Sequence, residues 1–154
     1  MQKKYVILIF IILMMLAIFG FSSRNSRVSD GMSKGLINVA VTGVEKVFNV
    51  SLDNHSIEDK FNHIVRKTAH FTEYLVLGLL LYSFFKECKI NKAYIYVALI
   101  GLLFAASDEF HQLFVSGRTA KVTDVLIDFS GVLLSIIIMK VCEGKWKKKK
   151  NIEN

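Results

Sequence analysis

Arg66, Lys67, His70, Glu73 and Tyr74 stand close together in this chain. Asp108, Glu109, His111 and Gln112 follow at a distance, then Arg118, then Asp124 and Asp128. These residue types do chemistry. Arginine and lysine bind phosphate or carboxylate, arginine through a rigid donor fork. A histidine beside a carboxylate takes up and releases a proton near neutral pH. Clustered carboxylates hold divalent cations. On a helix, positions three and four apart share a face. Arg66, His70, Glu73 and Tyr74 therefore form one stripe, with Lys67 one turn from His70. Asp108, His111 and Gln112 form a second stripe, and Asp124, Asp128 and Gly131 a third. Asp128 lies one turn, about 6 Å, beyond Asp124 at a rise of about 1.5 Å per residue. Glycine at position 131 admits a close neighbouring helix.

The spacing leaves several roles open. His70 is the candidate acid or base, with Asp128 or Glu109 as its partner; a hydrogen-bonded linker is its plainer role. Arg66, Lys67, Tyr74, Asp108, Gln112, Arg118 and Asp124 are the candidate ligand-binding residues. Gly117 allows a tight turn that aims Arg118 back over the helix ends. Asp128 is either a partner of Arg118 or Lys67, or a general base. The set can also neutralise itself and merely pin helices, although each extra buried polar group adds a cost. No metal site is assigned. The chain has no His-Glu-x-x-His string, and Cys88 and Cys142 lack metal spacing. A divalent cation on Asp108, Glu109, Asp124 and Asp128 remains an alternative. The cofactor, if the chain uses one, is unknown from the residues. His111 reads as a solvated interface residue, and His55 and His63 receive no role.

The elements that must position these residues are apolar. Of 154 residues, 53% are hydrophobic, and the mean hydropathy is +0.42. Four apolar runs, at about 5–21, 66–85, 92–110 and 123–141, approach the roughly 20 residues that a spanning helix needs. They leave too little polar surface for a soluble bundle. The expected fold is all-α, an integral membrane four-helix bundle forming a single domain over 1–154. The first run follows Lys3 and Lys4 as a secretory leader would. Its length, and the weak cleavage match at Gly20-Phe21-Ser22, favour a retained helix. The stretch 22–65 is read as an outer loop. Within it Leu36, Ile37, Ala40, Val41, Val44, Val47 and Phe48 recur at helical spacing and predict an additional amphipathic helix in this first extracytoplasmic loop. Proline is absent, so turns are expected to use Gly, Asn, Ser and Asp.

Ionisable side chains in spans usually face one another or a wet cavity. In three of the four runs they crowd the same end. Basic residues set orientation. Lys145 and Lys147 to Lys150 in the tail 142–154, with Lys86, Lys89 and Lys92, put both termini in the cytoplasm and the polar end outside. Arg24, Arg27, Arg66, Lys67, Arg118 and Lys121 run against this bias, but the last four belong to the polar set. Both cysteines then face a reducing compartment. The net charge of +7 is explained largely by a tail facing anionic lipid headgroups and calls for no nucleic acid.

Taken in order, Lys67-x-x-His70-x-x-x-Tyr74, Asp108-Glu109-x-x-Gln112-x-x-x-x-Gly117-Arg118 and Asp124-x-x-x-Asp128-x-x-Gly131 resemble the VanZ-like family of bacterial membrane proteins. The Ser22-Ser23 pair adds to the likeness, which runs from the first helix through the fourth. Ser116 departs from it where members often carry proline, which bears on loop rigidity. Members have Asn or Asp at the position of Asp128, and an amide there weakens an obligatory general-base role. The resemblance implies a bacterial cell membrane. Through the family's association with teicoplanin-type glycopeptide resistance, it also implies a role near cell-wall precursors or lipid-linked intermediates. It attaches no reaction.

Three functions follow as expectations. The first is binding or modulating a lipid-linked or phosphate-bearing cell-envelope molecule. Arg66, Lys67 and Arg118 would hold phosphate, and membrane lipids and a lipid-linked cell-wall precursor would be the partners. The second is a membrane-interface hydrolase or transferase acting on lipid phosphates, with His70 and Asp128 or Glu109 as acid and base. The third is a structural or regulatory membrane protein.

Overall fold

The computed structural model describes residues 2–23, 54–115 and 120–153, with residues 54–63, 147 and 150–153 described through the backbone alone. The expected amphipathic helix around residues 36–48, and Arg118, lie outside the described residues. Four α-helices account for most of the described residues: α1 (Lys3–Ser22), α2 (Asn54–Glu87), α3 (Ala93–Gln112) and α4 (Val122–Glu153). Three of them are long and apolar enough to cross a membrane, α1, α3 and the Val122–Trp146 part of α4. Helix α2 is the most polar up to Glu73, a part that includes Arg66, Lys67 and His70. It packs against each of the other three helices, and most extensively against α4. Of its polar residues, His70 is turned toward α4, with Glu73 beside it.

Two boundaries differ from the sequence reading. Helix α2 starts at Asn54, inside the stretch taken as outer loop 22–65. Its first turns are polar, yet Ile57, Phe61, Ile64 and Val65 recur at helical spacing, and no glycine or proline interrupts them. Helix α4 runs on to Glu153, so the basic tail 142–154 is largely a continuation of the fourth helix.

The core is built where α2 meets α1, α3 and α4. Tyr74, Leu77, Leu81, Tyr82 and Phe85 of α2 are buried with Ile11 and Ile18 of α1, Val97, Phe104 and Ala105 of α3, and Val132 and Ile136 of α4. Small residues let α2 and α4 approach closely. A Cβ placed on Gly131 would run into the carbonyl oxygen of Phe71 and come within 3.0 Å of the Leu75 amide nitrogen. The close approach expected at Gly131 is thus present, and it is backbone against backbone.

The turn from α2 to α3 departs from expectation. Its left-handed residues are Lys89 and Lys92, with φ of 57° and 59°, not glycine or asparagine. The Lys89 amide donates to the Lys86 carbonyl at 2.9 Å, and the Ile90 amide to the Phe85 carbonyl at 3.0 Å. These paired bonds close the helix as a Schellman motif, and Ile90 packs against the core that contains Phe85. Helix termination and the Ile90 contact outweigh the intrinsic preference for glycine.

Burial is inverted relative to a soluble protein. Ile9, Phe10, Leu13 and Leu16 on α1, Leu99, Leu103 and Phe110 on α3, and Leu126, Leu133 and Ile137 on α4 point outward. Asp108 and Asp128 are 0% and 2% exposed, and Glu109 and Gln112 are also buried. An apolar exterior of this extent needs lipid to cover it, and this is the arrangement of a membrane protein.

The two ends of the helices differ. At one end Lys3 pairs with Glu87 at 2.7 Å and Lys86 with Glu143 at 2.9 Å. Lys140 lies over the Tyr94 ring at 3.8 Å. The start of α1, the end of α2, the start of α3 and residue 143 of α4 therefore meet there. The histidine and the buried carboxylates occupy the other end.

Candidate functional site

Three helices deliver the polar groups. On α2, the helical repeat puts His70, Glu73 and Tyr74 on the side that faces α3 and α4. On α3, Asp108 and Gln112 share the inward face, and Gln112 Nε2 donates to Asp108 Oδ2 at 3.3 Å. On α4, Asp128 enters from one turn above Gly131, where the two backbones touch. His70 Nδ1 lies 4.0 Å from Asp128 Oδ1 and 3.9 Å from Glu73 Oε2. One donor atom each from His70, Asp108 and Asp128 lie within 4.8 Å of one another. The His70 contacts to Asp128 and Glu73 are longer than a hydrogen bond.

Tyr74 is completely buried, and its hydroxyl has no hydrogen-bond partner among the described residues. Its ring packs 5.9 Å from that of Phe104. The hydroxyl lies within the field of Asp108, Asp128, Glu73 and Glu109, with Asp108 acting most strongly. It therefore belongs to the same polar group.

The remaining candidates form the rim. Lys67 Nζ sits 3.3 Å from Asp124 Oδ1, both side chains partly exposed. Asp124 also stands in the first turn of α4, where a negative charge complements the helix dipole. Glu109 Oε1 accepts the backbone N–H of Lys121 at 2.5 Å. That carboxylate ties the end of α3 to the start of α4 and satisfies a donor at the helix N-terminus. Arg66 is half-buried and has no ion-pair partner among the described residues.

The structure thus brings the buried Tyr74, Asp108, Gln112 and Asp128 together with the partly exposed His70, and Glu73 stands beside them. Lys67, Asp124 and Arg66 lie at its edge, and Glu109 turns one oxygen toward Lys121. The reading of His111 as solvated holds only in part, since the residue is half-buried. Its ring meets Phe19 of α1 edge-on, with centroids 5.2 Å apart, and its Nδ1 is closed to solvent. Helix α1 caps that side of α3, a contact between distant segments that local spacing does not reveal. Ser22, one turn beyond Phe19, is fully buried, and its hydroxyl lacks a partner among the described residues. Its position was marked only by its place in the resemblance.

Fold and site together define an all-helical membrane protein with a histidine and carboxylate cluster buried at one end of its helices. The VanZ/LLP1 family model matches residues 7–143, and the chain belongs to that family. Neither the curated proteins nor the solved structures contain a match to it.

Proposed function

We propose that this protein binds a lipid-linked, phosphate-bearing molecule of the cell envelope through the polar end of its helices. The observation that carries the reading is the contrast between the two ends. At the Lys3 end, Glu87 and Glu143 are each matched to a lysine, which is all that holding helices together requires. At the other end, acids outnumber cations among the described residues, yet Arg66 pairs with none of them. A half-buried guanidinium with no acidic partner among the described residues, beside such a cluster, suits an incoming anion. Lys67 is a second contact, its link to Asp124 being partly exposed and easily exchanged. Arg118 is the third by sequence. The apolar flanks would hold a lipid tail while the headgroup reaches the site.

In this reading the chain crosses the bacterial cell membrane four times. Both termini lie in the cytoplasm, and the site faces outward. The shared end of Lys3, Glu87 and Glu143 supports placing the two termini on one side, and Lys89, Lys92, Lys145, Lys148 and Lys149 support calling that side cytoplasmic. Holding a cell-wall intermediate at this surface would change susceptibility to glycopeptides that act there.

A second reading is favoured by one observation, the grouping of His70 with Asp128 and Glu73. An imidazole flanked by carboxylates can act as acid and base on a lipid phosphate. Glu109 suits that role less, since one of its oxygens is committed to Lys121.

The test is thermal unfolding of the purified protein with a polyprenyl phosphate and with the same polyprenol lacking phosphate. Binding to the folded state raises the midpoint by mass action. The phosphate form should stabilise wild type and Lys3→Ala, and should fail to stabilise Arg66→Ala. Equal shifts from the two lipids would remove phosphate from the account.

A further inference from the structure

His70, Asp108 and Asp128 bring together one donor atom each, of the types and at the spacing of a metal site. We infer that the imidazole of His70 and the carboxylates of Asp108 and Asp128 bind one divalent cation of the Mn2+ or Zn2+ class. The donor set is one nitrogen and two anionic oxygens. Imidazole suits first-row transition metals, and carboxylates suit the harder divalent ions. Metal bonds to these atoms run about 2.0–2.2 Å, so two ligands of one ion stand up to about 4.4 Å apart. The three donor atoms lie within 4.8 Å of one another. Small side-chain rotations bring them onto a common centre.

A second observation points to the same place. The Tyr74 hydroxyl is buried, without a partner among the described residues, and lies in the field of Asp108 and Asp128. A water completing the coordination of a bound cation would accept its hydrogen bond. Glu73 lies beside the same imidazole, 3.9 Å from His70 Nδ1. Carboxylates this deep in an apolar protein raise one another's cost, and a divalent charge relieves it. The ligand set differs from the four carboxylates that the sequence suggested. Asp124 is drawn to Lys67 and Glu109 to the Lys121 amide, and His70 takes their place.

The cation site stands without the phosphate reading. If both hold, the cation bridges the carboxylates and the phosphate, which explains how an acidic pocket accepts an anion.

The experiment uses the full chain in lipid nanodiscs, stripped with a chelator and titrated with Mn2+ alone, with no lipid phosphate added. Electron paramagnetic resonance of free Mn2+ gives the stoichiometry, and competition with Zn2+ gives the preference. The expected result is one saturable site per chain. Affinity should fall at least about tenfold in His70→Gln and in Asp108→Asn, and stay unchanged in Glu143→Gln at the opposite end. Absence of saturable uptake of either metal by wild type overturns the inference, whatever the variants do. So does equal uptake by wild type and His70→Gln. Should Asp108→Asn fail to fold, the wild-type stoichiometry and His70→Gln decide the matter. Because only metal is present, its outcome is independent of whether a phosphate binds.

Discussion

His70 Nδ1 on α2 and Asp128 Oδ1 on α4 lie 4.0 Å apart, within the interface where the two helices touch most closely. The separation is set next door. Phe71 follows His70 in sequence, and its carbonyl abuts Gly131, one turn beyond Asp128. Packing and site geometry are therefore one problem: whatever moves α2 away from α4 also separates imidazole from carboxylate.

Gly131→Ala tests that coupling. The new methyl meets backbone atoms of Phe71 and Leu75, which cannot rotate away. A loss of about 1–3 kcal/mol is expected, the usual range for overpacking, measured by thermal or denaturant unfolding in detergent. Gly101→Ala meets the Val132 side chain, with Cγ1 at 2.6 Å, so Val132→Ala should restore part of its loss. No side-chain change near Gly131 should rescue Gly131→Ala. The same variant should weaken ligand binding even where it stays folded.

Asp128→Asn separates a site from a pin. The substitution keeps shape and removes one carboxyl from a group that also holds Asp108 and Glu73. The expected outcome is unchanged stability of the metal-free protein, or a gain of up to about 1 kcal/mol, with any Mn2+-dependent stabilisation lost. A purely structural ion pair predicts the opposite, a loss of about 3–5 kcal/mol on breaking it. Circular dichroism melts with and without Mn2+ distinguish the two.

Lys89→Gly should stabilise the fold. Lysine at a φ of 57° carries a left-handed penalty of about 1–2 kcal/mol. Glycine removes it at an entropic cost of about 0.5–1 kcal/mol. A net gain of about 0.5–1 kcal/mol is expected in unfolding experiments. Lys89→Ala should give none, since alanine keeps the same strain.

Much of this architecture was legible in the sequence because its signals are local. Apolar runs marked α1, α3 and α4, helical spacing put His70 beside Tyr74 and Asp108 beside Gln112, and the ordered motif pointed to the family that the comparison bears out. Gly131 could be assigned a close approach from its position on the Asp128 stripe. What the spacing could not give was the pairing between helices. That Lys67 meets Asp124, that Glu109 turns to the Lys121 amide, and that Phe19 covers His111 depend on how α1 and α4 dock. The early start of α2 was obscured by polar composition, although Ile57 and Phe61 carried a helical period. Lys89 and Lys92 resisted reading because tertiary contacts overrode the local preference of their turn.

The matched end should be nearly silent. Lys3 is largely exposed, and pairs of this kind contribute about 0–1 kcal/mol. A double-mutant cycle of Lys3→Ala and Glu87→Ala should give a coupling within that range, shrinking as salt is raised. Neither variant should change binding at the far end.

The central claim is that the polar end holds a phosphate-bearing lipid. Native mass spectrometry of the chain in lipid nanodiscs, offered a defined polyprenyl-phosphate-linked precursor, tests it most directly. The account predicts that wild type retains the intact precursor and that Arg66→Ala releases it. A precursor that leaves with altered mass only when His70 is present would shift the reading to catalysis. Equal retention by wild type and Arg66→Ala, or retention by neither, would contradict the account.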